Sequence, residues 1–289
     1  MTCGPAATWN ACALSERREH KRRDRLLLPV MPVTDPTQRF SSRVDNYARY
    51  RPGYPLQVLE TLKAECGLVK ASVITDIGSG TGLLSKVFLE NGNRVFGVEP
   101  NQKMRETGEQ LLRDCPQFTS VAGTAEATTL PDRRVDFVTA GQAAHWFDRE
   151  KSRREFERIL KPAGWVVLIW NERKTDSTPF LVAYEELLLT YGTDYREVRH
   201  EKTTAEIDTF FAPAPFQERV IEYQQDFDYP ALEGRLLSSS YTPQEGDPKY
   251  APMLKELRRI FDAYQEGGRV SFEYYTRMYY GRPGNRNRP

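Results

Sequence analysis

Gly78, Gly80 and Gly82 alternate with other residues directly after the apolar run Val73-Ile74-Thr75-Asp76-Ile77. A turn built this way lets backbone amides approach a ligand that any Cβ would hold off. Further along, Glu99 closes a second apolar run, Val95-Phe96-Gly97-Val98. A carboxylate at a strand tip beside a glycine turn is suited to accept hydrogen bonds from the two hydroxyls of a ribose. The pair predicts a nucleoside site, and the neighbouring residues narrow which nucleoside. A dinucleotide fingerprint needs a glycine where Leu83 stands, and a phosphate-cradling loop needs that same glycine followed by lysine. Asp76 puts a negative charge where a pyrophosphate would approach the following helix, so it suits a cationic ligand such as an ammonium or a sulfonium. The turn therefore argues for a nucleoside joined to an amino acid, and against a nicotinamide dinucleotide or ATP.

The elements that must hold these groups alternate from about residue 54. Apolar periodicity predicts helices over 54–64, 83–90, 101–112 and 148–159, and strands over 73–77, 95–98, 118–122, 135–140 and 165–170. The last of these is apolar throughout and is expected to be buried on both faces. Strand–helix repetition of this kind implies a twisted, mostly parallel sheet with helices on its faces. The rhythm breaks after Asn171. Helices are predicted over 179–189, 203–211, 230–239 and 252–264, and strands over 216–227 and 270–280. Residues 172–215 read as a helical insertion or lid, placed where such segments commonly wall a pocket.

The 289 residues carry 41 Lys and Arg against 40 Asp and Glu, a formal charge of +1, which argues against a nucleic-acid binder working by bulk charge. Cys3, Cys12, Cys66 and Cys115 are too scattered for a disulfide scaffold or a metal site, which suits a reducing, cytoplasmic setting. No apolar run is long enough to predict a membrane span. Residues 1–33 read as a disordered extension with a charged run at Arg17–Arg25 and a second possible start at Met31; 34–283 form the domain, and 284–289 a loose tail.

In order along the chain, five stretches resemble the class I S-adenosylmethionine-dependent methyltransferases, in the subgroup acting mainly on small molecules. They are Asp76–Gly82, Val95–Met104, Gly123–Glu126 with Leu130-Pro131, Val135–Val138 and Leu160–Trp165. Tyr47–Pro55, Gln142–Phe147 and Tyr274–Gly281 are further similar to members related to trans-aconitate methyltransferase, within the type 11 methyltransferase domain. The resemblance spans about residues 40–282. It implies a Rossmann-like α/β fold, a doubly wound seven-stranded sheet in the order 3-2-1-4-5-7-6 with the seventh strand antiparallel and an N-terminal cap helix. It implies S-adenosylmethionine as cofactor, no metal, and a small molecule as methyl acceptor, in a monomer or homodimer.

The resemblance also implies residue roles. Gly78, Gly80 and Gly82 approach the methionine part of the cofactor, Asp76 its ammonium, and Glu99 the ribose diol. Met104 lies against the adenine or simply packs the core. Ala125 and Glu126 sit at the adenine edge, through a backbone amide or the carboxylate. Gln142 lies where the cofactor pocket opens to substrate. In the cap, Arg51 can pair with the methionine carboxylate and Tyr47 can cover the methyl-transfer zone; the alternative is plain packing. His145 can deprotonate an acceptor, bind its carboxylate, lie against the cofactor or serve the structure alone. Trp146, Trp170, Arg173, Tyr241 and Arg277 are expected to wall the acceptor side, and arginines 43, 49, 51, 173 and 277 make an anionic acceptor plausible. Two other classes stay open: a non-catalytic cofactor-binding scaffold, and a methyltransferase acting on RNA or protein. The Asn/Asp-Pro-Pro-Tyr type of motif that many amino-group modifiers carry after the fourth strand is replaced here by Ala140-Gly141-Gln142-Ala143.

Overall fold

The apolar runs become the strands of one sheet, and the amphipathic runs cover it. The computed structural model describes residues 50–198, 207, 210–212 and 214–283. These fall in one compact unit, residues 35–289. The expectations for residues 1–33, for the 284–289 tail and for Arg43, Tyr47 and Arg49 lie outside the described residues.

The strands are β1 (Val73–Ile77), β2 (Arg94–Val98), β3 (Phe118–Val121), β4 (Val135–Gly141), β5 (Leu160–Arg173), β6 (Phe216–Phe227) and β7 (Val270–Gly281). They pair in the order β3-β2-β1-β4-β5-β7-β6. β1 to β5 are parallel, and β7 runs antiparallel between β5 and β6. This is the sheet order that the resemblance implies. Helices α1 (Gln57–Cys66), α2 (Leu83–Glu90), α3 (Gln102–Leu111) and α4 (Arg149–Ile159) belong to the alternating part. After β5 come α5 (Pro179–Tyr191) and the short α6 (Tyr195–Val198); α7 (Tyr229–Leu237) and α8 (Tyr250–Tyr264) separate β6 from β7.

Side chains that could bond their own backbone fix several of these starts. Asn101, Asp148, Thr178 and Asp228 each accept a hydrogen bond from the amide three residues on, capping α3, α4, α5 and α7. With Asp228 as the cap, α7 begins at Tyr229 and Pro230 stands in its first turn, where a missing N–H costs no helical bond. β5 starts five residues earlier than its apolar run because Val135 pairs with Leu160. The register then shifts to pair Phe137 with Trp165, so the Lys161–Gly164 stretch enters as a bulge. Lys161 is fixed there by Asp136 at 2.8 Å. Of the helix expected over 203–211, only residues 207, 210 and 211 lie among those described; α6 is a further short helix within the 172–215 insertion that the sequence reading did not predict.

Strand parity divides the core. Ile74, Val95, Ile169, Met278 and Tyr280 pack under α1 and α2. Ile77, Val138, Leu168, Trp170 and Tyr279 pack on the opposite face with Phe156 and Ile159 of α4 and with Phe210 and Phe211. The antiparallel β6–β7 pair reaches past the carboxyl end of β4, and α5, α7 and α8 pack on that extension around Phe272. Phe180, Tyr184 and Phe227 meet the Phe272 ring edge-on at 5.2, 4.8 and 5.3 Å. Such pairs add roughly 0.5–1.5 kcal/mol each beyond area burial. They tie the inserted α5 to the β6–β7 pair, beside the end of the sheet where open α/β folds bind ligands.

Candidate active site

The glycine turn leaves β1 in a conformation that other residues rarely adopt. Gly78, Gly80 and Gly82 all have positive φ, at 66°, 56° and 87°. A Cβ on Gly78 would come within 2.6 Å of the Ala143 Cβ, and one on Gly82 within 2.5 Å of Leu112. Gly78 and Ser79 donate to the Val98 carbonyl at 2.8 and 3.1 Å, so the turn folds against the tip of β2.

At that tip the Glu99 carboxylate bridges two loops. Its Oε2 accepts from the Gly80 amide at 2.9 Å and its Oε1 from the Asn101 amide at 2.8 Å. Each oxygen retains a second lone pair. Burial raises the Glu99 carboxyl above its ordinary range, against the pull of those two amides. Met104, one turn into α3, extends its Cε over the same turn, 3.2 Å from where a Gly80 Cβ would lie.

Asp76 is 1% exposed. Its Oδ2 accepts from the Ser85 hydroxyl of α2 at 2.7 Å, while its Oδ1 has no hydrogen-bond partner. Burial, with Glu99 adding a like charge, pushes this carboxyl up to about 7. A buried acid held near neutrality with a spare oxygen fits a cationic group from a ligand. These residues therefore fit S-adenosylmethionine: three glycines that open the backbone, an acid with lone pairs for a ribose, and a second acid short of a partner.

At the expected adenine edge, Ala125 is buried, and the Glu126 carboxylate accepts from the Asp148 amide at 2.8 Å, joining the loop after β3 to the start of α4. Gln142 leaves β4 with a φ of 57°, unusual for a residue with a side chain. Its amide group donates to the Asn171 carbonyl at 2.9 Å. Asn171 in turn donates to the Gly53 carbonyl at 2.8 Å and accepts from Thr276 at 2.7 Å. The Tyr54 hydroxyl lies where a Cβ on Gly141 would be. The cap segment is thus fastened across the ends of β4 and β5. Arg51, in that segment, donates to the Ser238 carbonyl at 3.1 Å.

The five residues expected on the acceptor wall do not come together. Arg173 and Tyr241 lie on the α5–α7 side, where Arg173 bonds the Glu185 carboxylate and the Tyr195 hydroxyl. Trp170 and Arg277, paired across β5 and β7, face the other way. Trp170 is 2% exposed against Tyr279 in the core, and Arg277 is held by Glu172 and Glu218 at 2.6 and 2.8 Å. Side chains alternate faces along a strand, so residues 170 and 173 cannot share one. His145 shares a small cavity with Arg149, Leu168, Trp170 and Phe210, and its ring lies 4.6 Å from Trp146, which is 42% exposed. Sequence reading missed Asn171 and Thr276 as fasteners of the cap, and Arg235, a buried guanidinium on α7. The run Asn171–Arg173 after an apolar strand was the available signal for the first.

A glycine turn and an acidic strand tip on this sheet order define a class I, Rossmann-like methyltransferase fold. The chain belongs to the S-adenosylmethionine-dependent methyltransferases and is an enzyme of that family. A methyltransferase-domain profile matches residues 75–168. An uncharacterized methyltransferase of Schizosaccharomyces pombe is 33% identical over 241 residues, covering 83% of this chain and 84% of that one. One of Mycobacterium tuberculosis is 30% identical over 243 residues, covering 82% and 92%. A solved structure described as a type II methyltransferase from Anaeromyxobacter dehalogenans shares the fold, with a TM-score of 0.59 at 22% identity over 81% of this chain and 98% of that one.

Proposed function

We propose that this enzyme moves a methyl group from S-adenosylmethionine to an oxygen, nitrogen or carboxylate of a small molecule. The observation that carries the proposal is the Glu99 bridge, which makes the glycine turn and the acidic strand tip one continuous wall. When bound, S-adenosylmethionine supplies a methyl group on a positively charged sulfur, and its in-line transfer leaves a neutral thioether.

Because the departing sulfur is neutral, the chain needs no acid to assist it. The work of the protein is to hold, align and exclude water, and orientation of this kind can supply roughly 7–11 kcal/mol of a barrier. Glu99 accepts the ribose hydroxyls on its remaining lone pairs. Asp76 meets the cationic amino-acid end. Met104, Ala125 and Glu126 enclose the adenine, and Arg51 pairs with the methionine carboxylate. Gln142 aims the cap fastening across the mouth, with Tyr47 of the cap covering the reacting centre. An ionised carboxylate acceptor needs no base. A phenol or an amine does, and His145 is the candidate to take that proton.

Kinship with trans-aconitate methyltransferase is supported by the cap, the Gln142–Phe147 stretch and the last strand alone. The cytoplasm is the setting that fits unpaired Cys66 and Cys115. The direct test is a turnover assay against a panel of small acceptors, read as S-adenosylhomocysteine release. Release with at least one small acceptor supports the proposal; release only with RNA or protein substrates refutes it.

A further inference from the structure

Beside the cap, among the described residues, two buried arginines carry guanidinium nitrogens that lack a hydrogen-bond partner. Arg235 on α7 is 7% exposed, and the side chain of Arg173 is 10% exposed. The carboxylate that meets Arg173 is Glu185, through one guanidinium nitrogen, Nη2. Its Nη1 is buried with no hydrogen-bond partner. Arg235 donates from Nη1 to the Ser239 hydroxyl at 3.2 Å, while its Nε is likewise buried and unpartnered. Leaving a buried charged donor unsatisfied costs more than leaving a neutral one, so such a group calls for an acceptor.

The half-buried phenol of Tyr241 is the meeting point. Its ring lies 4.8 Å from that of Tyr195, whose hydroxyl accepts from Arg173 at 3.0 Å, and Arg235 bonds Ser239, two residues before Tyr241. Burial would raise the Tyr241 phenol, yet the guanidiniums of Arg235, Arg51 and Arg173 and a hydrogen bond with the Ser239 side chain together hold it below the ordinary tyrosine range. Arg173 stands two residues beyond Asn171 on the same face of β5, about 6.6 Å further along the strand. Asn171 is the residue bonded to Gln142 and to the cap. Arg173 therefore lies on the face of the sheet that carries Asn171, Gln142 and the cap fastening, and not on the opposite face that holds Arg277.

The geometry points to an oxyanion subsite formed by Arg173, Arg235 and Tyr241, which binds a carboxylate or phosphate carried by the methyl acceptor. As a subsite of the acceptor pocket it rests on the methyl-transfer reading, but anion binding is measurable apart from that reading. Nη1 of Arg173 and Nε of Arg235 donate to the oxygens of a carboxylate or a phosphate, and the Tyr241 hydroxyl donates a further hydrogen bond.

Calorimetric titration with succinate and with inorganic phosphate, at fixed ionic strength set by chloride, tests the assignment. The full chain, Arg173→Gln, Arg235→Lys and Tyr241→Phe are compared, with S-adenosylhomocysteine titrated in parallel. Saturable binding of at least one probe by the unaltered chain is expected. Arg173→Gln should weaken it by tenfold or more and Tyr241→Phe by severalfold, with S-adenosylhomocysteine affinity held within about twofold. Preference between the two probes separates a carboxylate acceptor from a phosphorylated one. Should Arg235→Lys fail to fold, the other two variants still decide. Absence of probe binding to the unaltered chain, or affinity that survives both Arg173→Gln and Tyr241→Phe, overturns the subsite. Failure to bind S-adenosylhomocysteine while the anion probes bind as expected would remove the methyl-transfer reading and leave the subsite standing.

Discussion

At the residue scale, two carboxylates near the glycine turn have different tasks. Glu99 has both oxygens engaged by backbone amides and still has lone pairs for two hydroxyls. Hydrogen bonds to a charged group contribute roughly 1.5–3 kcal/mol each. Glu99→Ala should therefore weaken S-adenosylhomocysteine about a hundredfold or more by calorimetry, and it should also lower the melting temperature by leaving the Gly80 and Asn101 amides unpaired. Glu99→Gln keeps one amide acceptor, so its melting point should fall less while affinity still drops. Asp76 predicts a pH dependence with a definite sign. Its carboxyl sits near pH 7 in the free protein, and a cationic ligand favours the ionised form. Binding of S-adenosylmethionine should release a proton below pH 7, and affinity should fall by up to about tenfold per pH unit as pH drops further. Titration in buffers of different ionisation enthalpy reads the proton directly; a flat profile from pH 5.5 to 8 would sink the role given to Asp76.

At the element scale, the fold depends on fastening an inserted helical layer to the sheet end. Phe272→Ala removes the ring on which Phe180, Tyr184 and Phe227 converge, and should cost about 3–5 kcal/mol in denaturant unfolding. Asn171→Ala frees the Gly53 carbonyl and Thr276, so the cap should loosen. The expected outcome is a raised KM for the acceptor, with a smaller loss of S-adenosylmethionine affinity through Arg51 of the same cap. The alternating strands and helices were legible because each apolar run is bounded by its own turn or cap, as Asn101 and Asp148 bound α3 and α4. The glycine turn and Glu99 were legible for the same reason: their chemistry is local. The acceptor wall was not. Trp170 and Arg173 part by simple alternation only once β5 is known to run on to residue 173, and whether Arg277 shares a face with Arg173 depends on the pairing of β5 with β7, residues about a hundred apart in the chain. Arg235 was equally hidden, since an arginine in the last turn of an amphipathic helix reads as solvated until α5 and β7 close over it.

At the scale of the whole molecule, one end of a single sheet gathers the turn after β1, the tip of β2, the strained exit of β4 and the helical layer after β5. A ligand binding there should stabilise the entire unit. At a hundred times its Kd, S-adenosylhomocysteine should add about 2.7 kcal/mol, a rise of several degrees in melting temperature. NAD and ATP at matched concentration should add none, because Leu83 and Asp76 leave no place for a pyrophosphate. The most direct measurement is a crystal structure of the complex with S-adenosylhomocysteine. The account predicts both ribose hydroxyls within hydrogen-bond distance of the Glu99 carboxylate, the adenine between Met104 and Ala125, and the sulfur facing the cap fastened by Asn171. A nucleoside bound elsewhere, or a ribose that does not touch Glu99, would contradict it.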